Sequence, residues 1–97
     1  FNQYQNQVVD VRKKSEYEGQ HLRGVANEPL DFLPQNLGDF EKGKTYLVHC
    51  AGGYRSVIAA SILERNGYKA ASIEGGFNAM LKLNVPVTEE QEVQNML

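Results

Sequence analysis

The chain has 97 residues, enough for one domain and too few for a second hydrophobic core. Its formal net charge of −2, from 10 Lys and Arg against 12 Asp and Glu, argues against a nucleic-acid-binding protein, which would carry a basic excess. No apolar run approaches the roughly 20 residues that cross a bilayer, so we expect no membrane partner. The chain opens without a signal-peptide pattern, and its single cysteine fits a reducing compartment, so the sequence predicts a cytoplasmic location.

One domain is predicted over residues 8–86. Residues 1–7 show no apolar periodicity and are interpreted as the remnant of a leading helix or as a disordered end. Residues 87–97 are acidic and polar and follow Pro86, so we interpret them as a tail that either docks or is disordered. Because the chain begins with Phe1 rather than Met, we expect it to be a piece of a longer polypeptide.

The first half of the chain begins with a short strand. The β-branched run at residues 8–11 predicts a buried strand, since it is apolar and ends in charged residues. Ser15 and Glu18 have the spacing of a capping box and predict a helix of barely one turn. Apolar residues at helical spacing then predict a helix over residues 32–40.

The second half alternates strand and helix. Residues 45–50 form the strongest predicted strand, apolar on both faces and therefore central. The next helix is predicted over residues 56–66, apolar nearly all round and ended by Gly67. A strand at residues 69–73 and a helix at 77–83 follow. This alternation predicts an α/β fold in which helices cover both faces of a mostly parallel sheet.

The segment between the strongest strand and the next helix carries the candidate chemistry. Cys50 stands at the end of the strand, and Gly52 and Gly53 let the backbone curl so that successive N–H groups point inward. The helix that starts at Ser56 adds the positive end of its dipole, and Arg55 adds a full positive charge. These features lower the pKa of the Cys50 thiol, so the sequence predicts a nucleophilic thiolate.

Two alternatives stay open for this cysteine. Free cysteines are often buried and inert, in which case Cys50 is a strand-end thiol and the glycines only form a turn. The second alternative is phosphatase or arsenate-reductase chemistry on the same fold. However, four residues separate Cys50 from Arg55, one fewer than in the Cys-x5-Arg phosphate loop of the tyrosine-phosphatase type. The smaller ring of amides favours a single sulfur atom over a tetrahedral phosphoryl group.

Over about residues 8–86 the chain resembles a rhodanese domain. The matching pieces, in the family's order, are Val9-Asp-Val-Arg12, residues 16–27, Cys50-Ala-Gly-Gly-Tyr-Arg-Ser56, Gly67-Tyr68 and Glu74-Gly-Gly-Phe77. The style of the loop is most similar to single-domain rhodaneses and to rhodanese domains fused to metallo-β-lactamase-fold proteins of persulfide metabolism. The resemblance implies an α/β/α fold with a central, mostly parallel sheet whose first strand is truncated.

The resemblance also implies a sulfurtransferase that needs no metal or organic cofactor. The Cys50 thiolate would take a sulfur from thiosulfate or a persulfide and pass it from a Cys50 persulfide to a thiol or to cyanide. Arg55 would orient an anionic donor. The residues expected to bind the substrate are Ala51, Gly52, Gly53, Tyr54 and Ser56. The expected partners are a small-molecule sulfur donor, a thiol acceptor and a fused or associated metallo-β-lactamase-fold domain, whereas a non-catalytic binding or regulatory module is the remaining alternative.

Four further residues are expected to support the site. In the resemblance, Asp10 and Arg12 hold the rim around the loop, with Glu16 as the ion-pair partner of Arg12; a solvated strand end is the alternative. We expect a structural role for His21, in which a ring nitrogen forms a hydrogen bond with the backbone of the loop, because the thiolate needs no dedicated base. His49 precedes the cysteine in a strand, so its side chain is expected on the opposite face of the sheet.

Overall fold

The computed structural model describes residues 7–83 and 87–89. In chain order the elements are β1 (Val8–Asp10), α1 (Lys14–Gly19), β2 (His21–Leu22), β3 (Ala26–Asn27), a 3-10 helix (Leu30–Asp39), β4 (Thr45–His49), α2 (Tyr54–Arg65), β5 (Lys69–Ser72), α3 (Gly76–Lys82) and β6 (Val87–Thr88). Four strands form a sheet in the order β3-β1-β4-β5, and every pair in it is parallel. Strands β2 and β6 form a separate antiparallel pair. The predicted α/β fold with a central parallel sheet is confirmed.

The two faces of the central sheet bury separate clusters, because successive side chains of a strand point to opposite faces. Val9 packs on one face with Leu33 of the 3-10 helix and Leu63 of α2. Val8 packs on the other face with Met80 of α3. Helical segments therefore cover both faces, and the carboxyl ends of the parallel strands meet at one edge, where open α/β sheets bind ligands.

The helical segments before β4 differ from their predictions. Helix α1 begins at Lys14, and its capping contact joins the Lys13 N–H to Glu16 Oε1 at 3.1 Å, so the predicted box between Ser15 and Glu18 was wrong. The predicted helix at 32–40 is a 3-10 helix that contains Pro34 and changes conformation at Asn36. Because proline has no N–H to donate inside a helix, a regular α-helix is disfavoured there.

Helix α2 and the end of the fold also differ from prediction. Helix α2 starts at Tyr54, two residues before the predicted start, and Val57 and Ile58 are 59% and 52% exposed, so it is not buried all round. Strand β6 lies at the start of the predicted tail and pairs with β2, so the folded part extends past its predicted end at residue 86. The predictions for residues 1–6 and 90–97 lie outside the described residues. No helix within the described ranges is long and apolar enough to cross a membrane.

An acidic pair, of which Glu28 is buried, lies between the end of β3 and the 3-10 helix. Glu28, which directly follows β3, is 4% exposed, and its carboxyl group lies near Asp39 and Asn36 of the 3-10 helix. Burial, together with the hydrogen bond and the negative charge of Asp39, raises the pKa of Glu28 to about 8. The Glu28 carboxyl is therefore protonated at neutral pH and can donate its proton to this contact.

This raised pKa makes stability depend on pH in a defined direction. The pKa of Glu28 is higher in the folded state than its ordinary value of 4.5. The contribution of Glu28 to the free energy of unfolding is therefore complete below pH 4.5 and is lost as pH rises through about 8. A glutamine stays neutral and keeps a donor. We expect Glu28→Gln to exceed the wild type in free energy of unfolding by more than about 1 kcal/mol at pH 9, and by much less at pH 4.5.

Urea unfolding of both proteins at the two pH values measures this difference. The exposed Glu64 of α2 supplies the control variant Glu64→Gln, which is expected to leave the pH dependence of the wild type unchanged. An equal effect of Glu28→Gln at both pH values would contradict a protonated Glu28.

Candidate active site

Cys50 lies directly after β4, at the carboxyl edge of the parallel sheet, and is 1% exposed. Its side chain belongs to the cluster that α2 covers. Residues 51–53 connect it to α2 through a turn in which Gly53 has a φ of +115°. Only glycine adopts this conformation readily, and the turn brings the Gly53 N–H back toward the cysteine.

Several hydrogen bonds converge on the Cys50 sulfur. The backbone N–H of Gly53 donates to Sγ at 3.1 Å, and that of Ser56 at 3.4 Å. The Ser56 hydroxyl lies 3.6 Å from Sγ. Burial acts to raise the pKa of the Cys50 thiol, but hydrogen bonds from the Ser56 side chain and from the backbone of Ser56, Gly53 and Arg55 outweigh it. The pKa of Cys50 is therefore below its ordinary value, which favours the thiolate.

A second serine extends this network. The Ser56 hydroxyl lies 2.6 Å from the Ser72 hydroxyl and donates to the Gly53 carbonyl at 3.2 Å when the thiol is protonated. Because a hydroxyl has one proton and two acceptor sites, Ser56 can turn its proton to a Cys50 thiolate while it accepts from Ser72. Sequence reasoning missed Ser72. The available signal was its place at the end of the strand beside β4, at the same edge of the sheet.

The start of α3 holds the carbonyl groups of the loop. The N–H of Phe77 donates to the Cys50 carbonyl at 2.7 Å, and that of Asn78 donates to the Ala51 carbonyl at 3.3 Å. Gly76 has a φ of +58°, and a Cβ there would lie 2.3 Å from the Cys50 carbonyl oxygen. The close approach therefore requires glycine. These two bonds fix the start of the loop against α3.

Glu16 and Arg55 form an ion pair beside the loop. The Arg55 guanidinium donates from both Nη atoms to the two Glu16 oxygens, at 2.6 and 3.1 Å. The hydrogen bond from Arg55 lowers the pKa of Glu16 to about 2 despite partial burial. The prediction that Glu16 pairs with Arg12 was wrong. Arg12 instead pairs with Asp10 at 2.8 Å, because side chains two residues apart at a strand end lie on the same side.

The two histidines have structural positions. The Nδ1 of the buried His21 lies 2.7 Å from the Tyr17 carbonyl of α1, and the two rings stack. His49 lies on the opposite face from the cysteine, as expected, with its ring beside Phe77 and its Nε2 3.8 Å from Asp10. Burial lowers the pKa of His49, which favours a neutral ring.

A cavity of about 420 Å³ adjoins the loop that follows Cys50. It is lined by residues 52–53, by Tyr54 and Val57 of α2, by Ser72 and by residues 74–75. Tyr54 is 87% exposed and stands at its rim. Among the described residues, the lining has one acid, Glu74, and no Lys or Arg. The cavity therefore offers neutral and weakly acidic surface next to the loop.

Fold and site together define an α/β domain that holds a cysteine thiol among backbone amides at the edge of a parallel sheet. The sequence model of the rhodanese-like domain matches residues 1–83. The chain belongs to the family of rhodanese-like domains.

Individual proteins agree with this assignment. The uncharacterised protein YqhL of Bacillus subtilis is 36% identical over 72 residues, which cover 73% of this chain and 57% of the relative. The thiosulfate sulfurtransferase PspE of Escherichia coli is 31% identical over 70 residues, covering 70% of this chain and 67% of the relative. The crystal structure of a rhodanese-related protein from Thermoplasma volcanium superposes with a TM-score of 0.83 at 30% identity, over 92% of this chain and 89% of that chain. PspE and a relative from Thermoplasma acidophilum are named as sulfurtransferases.

The hydrogen bonds at the sulfur predict how serine substitutions change its ionisation. Ser56→Ala removes the hydroxyl that can donate to the thiolate, so we expect the pKa of Cys50 to rise. Ser72→Ala removes only the donor to that hydroxyl, and we expect a smaller rise. The rate of alkylation by iodoacetamide as a function of pH measures each pKa. Ser61→Ala, on the exposed side of α2, is the control and should leave the profile unchanged; an unshifted profile in Ser56→Ala would contradict the assigned hydrogen bond.

The close contact at the start of α3 predicts a loss of stability on substitution of Gly76. An added Cβ would meet the Cys50 and Ala51 carbonyl oxygens at 2.3 and 2.8 Å and would be strained at this positive φ. We expect Gly76→Ala to lower the free energy of unfolding by about 2–4 kcal/mol. Denaturant unfolding measures it. Gly38→Ala is the control, because a Cβ there meets nothing within 4 Å, and a comparable loss in both variants would contradict the contact.

Proposed function

We propose that this domain is a sulfurtransferase that carries one sulfur atom as a persulfide on Cys50. The observation that carries the proposal is the convergence of the Gly53 and Ser56 amides on the Cys50 sulfur. These donors stabilise negative charge on sulfur and lower the pKa of the thiol without a neighbouring base. The thiolate is the nucleophilic form of cysteine, so the resting site is already prepared for attack.

In the first half of the reaction, the Cys50 thiolate attacks the outer sulfur of the donor. A bond forms between Cys50 Sγ and that sulfur, and the S–S bond of the donor breaks. The electron pair of the broken bond leaves with the inner sulfur, as sulfite from thiosulfate or as a thiolate from a persulfide. The negative charge of the enzyme then lies on the persulfide, where backbone donors of the loop stabilise it.

In the second half, an acceptor thiolate or cyanide attacks the terminal sulfur of the Cys50 persulfide. The bond from Sγ to that sulfur breaks, and its electron pair returns to Sγ. Cys50 leaves as the thiolate that the Gly53 and Ser56 donors already stabilise. The product is a persulfide of the acceptor, or thiocyanate when the acceptor is cyanide.

Phosphatase or arsenate-reductase chemistry is disfavoured by the charge at the loop. A phosphoryl group brings negative charge that such sites neutralise with a free guanidinium. Here both Nη atoms of Arg55 bond to Glu16. A purely non-catalytic module is disfavoured by the lowered pKa of the Cys50 thiol, because structural buried cysteines are inert.

The wider context of the domain stays a prediction. Thiosulfate or a small-molecule persulfide as donor, a thiol as acceptor, a fused or associated metallo-β-lactamase-fold domain and a cytoplasmic location rest on the sequence and on the resemblance stated above.

Sulfur loading of the intact protein tests the proposal. After incubation with thiosulfate or a hydropersulfide, we expect the wild type to gain the mass of one sulfur atom, and to lose it on addition of cyanide with release of thiocyanate. Cys50→Ala should gain no sulfur while unfolding at the same temperature as the wild type within a few degrees. A parallel assay with p-nitrophenyl phosphate separates the alternatives. Phosphate release without sulfur loading would replace the proposal by phosphatase chemistry. If the protein shows neither sulfur loading nor phosphate release, the result would favour a binding module.

A further inference from the structure

The positive charge nearest the candidate nucleophile is already neutralised within the chain. The two Nη atoms of Arg55 bond to the two carboxylate oxygens of Glu16, at 2.6 and 3.1 Å. The side chains of Arg55 and Glu16 are 32% and 34% exposed, so the pair lies at the surface beside the loop rather than in the core. A planar, two-bond pair of this kind fixes the direction of the guanidinium as well as its charge.

The other charged groups around the loop do not replace this cation. The guanidinium of Arg12 is buried, bonds to Asp10 at 2.8 Å and donates to the Gln20 carbonyl at 2.8 Å. The cavity beside the loop contains Glu74 and, among its described lining residues, no Lys or Arg. The entrance to the site is therefore neutral to weakly acidic.

We infer that Glu16 is a specificity-determining residue, which withholds the Arg55 guanidinium from the donor and so makes the site prefer a persulfide to thiosulfate. This inference rests on the proposed sulfurtransferase function. Thiosulfate brings two negative charges to the loop, whereas the reacting group of a persulfide brings at most one. Because no free guanidinium is available to attract the second charge, the site binds thiosulfate less strongly. A persulfide does not have this second charge, so its binding depends less on a free guanidinium.

The position of Glu16 in α1 supports this role. Glu16 lies in the first turn of α1, where its Oε1 also accepts the Lys13 N–H at 3.1 Å, so the start of the helix and Arg55 hold the carboxylate together. Its pKa of about 2 keeps it ionised throughout the neutral range. The cavity lined by Tyr54 and Val57 offers contact for the uncharged part of a persulfide carrier.

The test compares two donors in wild type and in Glu16→Gln, which keeps an acceptor oxygen for the Lys13 N–H but removes the negative charge. The donors are thiosulfate and the hydropersulfide of 2-mercaptoethanol, with cyanide as the acceptor. We expect wild type to show a higher kcat/KM for the hydropersulfide. In Glu16→Gln, we expect kcat/KM for thiosulfate to rise about tenfold and that for the hydropersulfide to change by less than about twofold.

Two further variants separate this role from a structural one. Glu18→Gln removes an exposed acid from the same helix that pairs with Lys14 at 3.9 Å rather than with Arg55, and it should leave the donor ratio of the wild type unchanged. In the double variant Glu16→Gln/Arg55→Gln the gain for thiosulfate should disappear, because the gain acts through the freed guanidinium. A merely structural Glu16 would alter both donors alike and would not depend on Arg55.

Each outcome decides the question. The inference would be overturned without any variant if the wild type had equal kcat/KM values for thiosulfate and for the hydropersulfide. It would also be overturned if Glu16→Gln, shown to be folded by its melting curve, had the same donor ratio as the wild type. A gain that persists in the double variant would also overturn it. If neither donor loads Cys50 of the wild type with sulfur, the proposed function itself fails, and that result is distinct from an unchanged ratio in an active protein.

Discussion

The site depends on the orientation of the peptide groups between β4 and α2. The backbone N–H groups of Gly53 and Ser56 reach the Cys50 sulfur only if the whole loop keeps its shape, and the buried carbonyls of that loop need donors of their own. The first two carbonyls of the loop find donors in the Phe77 and Asn78 amides of α3. Gly53 provides the left-handed turn, and Gly76 provides the space for α3 to approach. The chemistry of one thiol therefore depends on two glycines more than 20 residues apart in the chain.

The charges around the loop are balanced in pairs. Arg12 bonds to Asp10, and Arg55 bonds to Glu16, so neither guanidinium faces the sulfur as a free cation. The dominant influence on Cys50 is therefore the set of hydrogen bonds, which overcomes the opposing effect of burial. Hydrogen bonds from fixed backbone groups act on charge at one point, whereas a free arginine would attract anions in general. This difference favours a site that handles one sulfur atom.

The local features of the site were predictable because each depends on residues that are close together in the sequence. Short-range patterns were enough to predict the strand that ends at Cys50, the glycines after it and the helix that follows. The partners that act across the fold were not predictable in this way. Ser72 reaches Ser56 only because β5 lies beside β4, and Glu16 reaches Arg55 across 39 positions of sequence. The strand pair of β2 and β6 was missed for the same reason, since two-residue strands carry almost no periodic signal.

The same geometry explains why sulfur transfer suits this site better than phosphoryl transfer. Throughout the proposed cycle the enzyme carries one negative charge, which moves from Sγ to the terminal sulfur and back again. Because the charge moves by only one bond length, it stays close to the same hydrogen-bond donors. These donors are the amides of Gly53 and Ser56 and the serine hydroxyl network. A phosphoryl group would add charge on several oxygens, and its stabilisation would require Arg55 to leave Glu16. A loop whose donors are arranged around a single atom, and whose arginine is held by a carboxylate, is preorganised for a small and singly charged group.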